Sequence, residues 1–110
     1  MDIYKKMSEV EPVHADGHLG YRLLNESNGC CGGSSTGVSV YFCEDYPTAA
    51  THEDQEGFFV FEGKGWAKVG DAEIRLEPEM SFIAQKGVAH CIKKDKDCKE
   101  LKIFWFHCKA

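Results

Sequence analysis

The chain has 110 residues, enough for one core but not two, and its 43% hydrophobic and 28% charged content excludes a disordered chain. Its 13 basic and 18 acidic residues give a net charge of -5. The basic residues are scattered apart from Lys93-Lys94-Asp95-Lys96, which reads as a solvated turn, and this argues against a nucleic-acid partner, since phosphate contact requires a basic face.

No apolar stretch approaches the roughly 18 residues of a membrane span. The opening Met1-Asp2-Ile3-Tyr4-Lys5-Lys6 lacks the apolar run of a secretory signal, so a cytoplasmic protein with no membrane partner is expected. In that compartment the six cysteines are reduced thiols. Cys30 and Cys31 are adjacent and Cys43, Cys91, Cys98 and Cys108 follow singly; with no paired C-x-x-C knuckle, a structural zinc site is not expected.

In chain order, residues 1–19 are mixed and polar and read as an N-terminal arm, with His14 and His18 exposed to solvent. Residues 21–25 suit a short strand, and residues 27–35 form a Gly/Ser-rich loop that carries Cys30 and Cys31 as exposed thiols. Residues 37–43 are β-branched and aromatic, hence a strand, and the segment through Pro47 turns to deliver His52. Short strands then recur at 57–62, 66–69, 73–76, 80–84, 88–93 and 101–107, separated by glycine or charged turns. No segment has sustained helical periodicity, so the residues predict an all-β sandwich or barrel. On the last strand Leu101, Ile103, Trp105 and His107 share one face, and Phe104, Phe106 and Cys108 share the other. Two largely apolar faces call for two covers; a homodimer is the expected source of the second, and a local arm from the N-terminus is the alternative.

The residues best suited to chemistry are His52, Glu56 and His90. Imidazole nitrogen and carboxylate oxygen suit a first-row divalent metal, and two histidines with one acid occupy one face of it, leaving positions open for substrate.

These positions resemble the motifs of the cupin family of small β-barrels. The first motif runs glycine, His-x-His, three or four residues, Glu, six residues, glycine; His52, Glu56 and Gly63 fit it. The second places a glycine three residues before a histidine, as Gly87 and His90 stand, and Leu76 and Pro78 fall where cupins carry an L-x-P-G-D turn. Both motifs are degenerate. Ala50 stands in place of the first histidine and Glu44 in place of the opening glycine. In the second motif Glu79, Gln85 and Lys94 replace glycine, proline and asparagine.

The resemblance implies a single-domain antiparallel jelly-roll β-barrel over residues 20–110, after the arm at 1–19. Its first motif would fall at about 52–63 and its second at about 79–94. It implies a divalent transition metal (Fe, Mn, Ni or Zn) held by His52, Glu56 and His90, with Tyr41, Cys43, Gln85 and His107 as candidates for the missing fourth ligand. The implied function is isomerase, lyase or dioxygenase chemistry on a small polar molecule. The alternative is a barrel that binds a sugar or carboxylate without catalysis, with or without metal. Glu53, Asp54 and Gln85 are near enough in sequence to supply acid–base groups, and no residue is singled out as the general base.

Overall fold

The computed structural model describes residues 2–110. Nine strands form: β1 (Val13–Ala15), β2 (His18–Leu24), β3 (Ser35–Tyr41), β4 (Gln55–Glu62), β5 (Gly65–Val69), β6 (Ala72–Leu76), β7 (Ser81–Ala84), β8 (His90–Lys94) and β9 (Leu101–Cys108). From β3 onward they fall within about two residues of the segments that alternation and turn chemistry mark out. The N-terminal region departs more. Val13–Ala15 pairs with His18–Leu24 as a hairpin, so part of the segment read as an arm carries strand and joins the sheet.

All pairings are antiparallel and fall into two sheets, one of six strands in the order β1-β2-β3-β9-β4-β7 and one of three in the order β6-β5-β8. The all-β expectation holds, but the closed jelly-roll β-barrel does not: the two sheets are not joined by a ladder. The segment between β3 and β4 reaches the small sheet through isolated links, such as the Ala50–His90 bridge and the Lys94 N–H to Cys43 carbonyl bond of 2.9 Å. Closure needs edge strands that are long, tilted and in register. Here the edges of the large sheet are the three-residue β1 and the four-residue β7. The architecture is an open two-sheet sandwich.

The core lies between the sheets. Val60, Leu101 and Ile103 of the large sheet and Ala67 and Leu76 of the small one are fully buried, with Phe58, Ala84 and Ile92 nearly so. The alternation on β9 is as expected: Leu101 and Ile103 enter the core, while Phe106 lies on the outer face, where Phe59, Phe61 and Ile83 of β4 and β7 are also exposed.

Turn glycines set the hairpins. Gly63 between β4 and β5 has φ +85, and a Cβ there would sit 2.3 Å from the Glu100 carbonyl oxygen, so only glycine fits. Glu79 is the contrasting case. It adopts φ 74 where the second motif calls for glycine, a left-handed conformation that costs an L-residue about 1 kcal/mol.

The charged turn before β9 is more than solvated loop. Lys94 is buried, its ammonium donating to the Asp95 and Cys98 carbonyls at 3.0 and 2.9 Å and lying 3.3 Å from Glu44. Arg75 grips Asp95 through two bonds of 2.7 Å, and this guanidinium holds the Asp95 carboxyl below its ordinary range.

Candidate metal centre

His52 precedes β4, Glu56 lies on β4 in the large sheet and His90 opens β8 in the small one, so the three meet only because the sheets face each other. Three backbone bonds stitch their segments together. Ala50 and His90 exchange N–H···O bonds of 2.8 and 2.9 Å, and the Gly87 N–H donates to the His52 carbonyl at 2.8 Å. Ala50 therefore supplies no side-chain ligand, yet its backbone fixes the strand that presents His90.

Glu56 Oε1 is 3.2 Å from His90 Nε2 and 3.5 Å from His52 Nε2, and one ligand atom from each residue lies within 4.8 Å of the others. Two ligand atoms at right angles on an ion about 2.1 Å from each would be about 3 Å apart, close to these values. His90 Nδ1 faces the Val88 carbonyl oxygen at 3.1 Å, an atom that only accepts, so Nδ1 carries the hydrogen. In neutral His90 the Nε2 lone pair then points at a carboxylate oxygen. Two acceptors aimed at each other require a cation between them, either a proton or a metal. The bond to Glu56 raises the pKa of His90 against the lowering effect of burial. The donor set fits a divalent transition metal.

His107 stands on the other side of the carboxylate. Its Nε2 is 3.3 Å from Glu56 Oε2 and its Nδ1 is 3.0 Å from Asp54 Oδ2, while its ring meets that of His52 edge-on at 5.3 Å. Register places it there, since His107 is the β9 partner of Glu56. Of the candidate replacements for the absent histidine, it is the one with a polar side-chain contact to a residue of the triad. Tyr41 is buried in the cavity wall, where burial first and Glu56 second push its pKa up, so it stays protonated. The Cys43 thiol donates to the Ile92 carbonyl at 3.4 Å, and Gln85 is exposed and does not line the cavity.

His107 thus orients Glu56 through Oε2 and leaves Oε1 to the two triad histidines, with Asp54 steadying the far side of its ring. His107→Gln is expected to weaken metal binding about 10- to 100-fold without emptying the site, read by competition with a chromophoric chelator. An unchanged affinity would show that His107 does not support the carboxylate.

The triad opens onto a cavity of about 320 Å³. Its walls include Tyr41, Phe58, Ile92 and Trp105, and His52, with 37% of its side chain accessible, stands at the open side. His18, expected in solvent, lines this cavity instead. Its ring lies 4.9 Å from that of Tyr41, and burial lowers its pKa. His14 is exposed, as is Glu53. Cys30 and Cys31 border a separate surface hollow with Asn25 and Ser34, not the cavity. The partnership of Asp54 with His107 was hidden from sequence, because 53 positions separate the two residues and only the β4–β9 pairing brings them together.

The cupin domain family matches residues 44–107. Hydroxypropylphosphonic acid epoxidase from S. wedmorenis is similar in structure, with a TM-score of 0.80 at 19% identity over 96% of this chain and 58% of that one. The Fe(II) complex of HppE with substrate gives a TM-score of 0.81 at 18% identity, covering 96% and 59% of the two chains. This chain therefore spans less than two thirds of the epoxidase. The polyketide cyclase RemF from Streptomyces resistomycificus gives 0.77 at 13% identity over 94% of this chain and 76% of that one. The plu4264 protein from Photorhabdus luminescens gives 0.80 at 17% identity over 100% and 90%. At these identities the likeness is one of fold. No curated protein matches the sequence.

Proposed function

The chain belongs to the cupin family, and on that premise we propose that it is a mononuclear metal-dependent enzyme acting on a small polar molecule. The observation that carries this reading is the convergence of His52, Glu56 and His90 at the wall of one cavity, with no fourth protein ligand in the set among the described residues. Three protein ligands leave open positions, which catalysis requires and a structural site closes off. Two nitrogens and one carboxylate oxygen suit Fe(II), Mn(II), Ni(II) or Zn(II). Among isomerase, lyase and dioxygenase chemistries, two histidines and one carboxylate favour Fe(II) and an oxygen-dependent reaction. The HppE structure that contains Fe(II) and substrate lends this support by analogy of fold alone.

A bound ion would supply Lewis acidity toward a substrate oxygen, or redox capacity if it is iron. The protein supplies the rest. Glu56 presents Oε1 while His107 holds Oε2, and Val88 fixes the His90 tautomer through Nδ1. Phe58, Ile92 and Trp105 line the cavity and would present apolar surface to a bound substrate.

Elemental analysis of protein purified without chelator is expected to find about one equivalent of transition metal, lost in His52→Ala. Wild-type protein that stays metal-free after soaking with each of the four ions would overturn the proposal. That result would favour the second reading, a non-catalytic binding protein, which the alanine at position 50 supports.

A further inference from the structure

The cavity that holds the triad is also lined by an uncommitted cation, the solvent-exposed Arg22. Of the two arginines in the chain, Arg75 is engaged with Asp95, whereas Arg22 enters no ion pair among the described residues. Arg22 is also the single Lys or Arg in the cavity lining.

Its place follows from the register of the large sheet. Arg22 of β2 pairs with Gly37 of β3, Gly37 with Trp105 of β9, and Trp105 with Phe58 of β4, giving one row across four strands. The next row on the same face carries His107 and Glu56. Gly37 has no side chain and the Trp105 indole takes its place: a Cβ on Gly37 would lie 2.2 Å from Trp105 Cζ2. The indole therefore forms a flat floor, with Arg22 toward one end and the carboxylate of the triad toward the other. On the other flank of this row, Gly20 and Ser39 are small and leave the space above the floor open. Three strand spacings across the sheet and two residues along it separate the backbones of Arg22 and Glu56, about 16 Å, and two extended side chains close much of that gap.

We infer that the substrate is a small organic oxyanion, a carboxylate or a phosphate-type group, paired with Arg22 while a hydroxyl or carbonyl oxygen at its other end faces His52, Glu56 and His90. This rests on the metalloenzyme reading and adds the substrate class to it. The guanidinium fork matches two oxygens of such a group in one plane, and an aromatic floor suits the short carbon stretch between the two ends. Net charge does not draw anions to this protein, and Asp16 also lines the cavity, so the attraction must be local to Arg22 and the ion.

Calorimetry on Zn(II)-loaded protein, with 3-hydroxybutyrate, glycerol 3-phosphate and neutral 1,3-butanediol as probes, tests the inference. At least one anion is expected to bind about 10- to 100-fold more tightly than the diol, and the better of the two identifies the oxyanion as carboxylate or phosphate. Arg22→Gln is expected to erase that advantage and Arg22→Lys to restore part of it, both with the zinc stoichiometry of wild type. The inference is overturned if neither anion outbinds the diol, if no probe binds, or if Arg22→Gln keeps the preference. Repeating the titrations on metal-free protein separates the two readings. A protein that takes no zinc but still prefers anions through Arg22 defeats the metalloenzyme and leaves the oxyanion site standing.

Discussion

Glu56→Gln is expected to lower metal affinity by more than the roughly 10- to 100-fold typical of losing a partner behind a ligand, because it removes the proposed ligand itself and the only negative charge in the triad. The carboxylate has three imidazoles around it, His52 and His90 at Oε1 and His107 at Oε2. A neutral amide serves them poorly: its NH2 group faces nitrogens that would otherwise hold a metal or donate a hydrogen bond. The effect is measurable without a known substrate. A ligand at about 100 times its Kd stabilises the folded state by about 2.7 kcal/mol, so wild-type protein is expected to melt higher when metal is added. In Glu56→Gln that metal-dependent rise should vanish while the metal-free protein still unfolds cooperatively. A variant that keeps one equivalent of metal and the full rise would remove Glu56 from the ligand set.

Gly37→Ala is expected to destabilise the fold by about 3 kcal/mol, the upper part of the range for forcing extra volume into a packed site. The new Cβ would lie 2.2 Å from Trp105 Cζ2 and 2.5 Å from the Tyr21 carbonyl oxygen. The indole can shift, but the carbonyl is backbone of the neighbouring strand, so β2 and β3 must separate locally. Urea denaturation measures the loss. Trp105→Leu in the Gly37→Ala background relieves the contact with the ring and leaves the one with the carbonyl, so partial rescue is expected. A loss below about 0.5 kcal/mol in the single variant would mean that the floor is not packed as described.

Several features were legible because they are local. The strands from β3 onward are written in alternation and turn glycines, and His52, Glu56 and His90 are marked by residue type and motif spacing. Other features were not, because backbone packing decides them. Ala50 reads in sequence as a missing ligand, whereas in the fold its main chain holds His90 in place. Lys94 reads as solvated among neighbouring charges, yet its ammonium is buried against carbonyl oxygens that no sequence pattern announces. His18 reads as part of a polar arm and turns into the cavity because β2 pairs with β3.

A period of two and ligand chemistry are properties of neighbouring residues, so the residues alone indicate an all-β chain and three side chains fit to bind a metal. The fold settles that the sheets remain open, because closure depends on the length and meeting of edge strands rather than on alternation within them. It also decided that Asp54, His107 and Glu56 form one chain of contacts and that Arg22 shares a cavity with the triad. Those relations arise from which strands lie side by side, and cross-strand register is a long-range property.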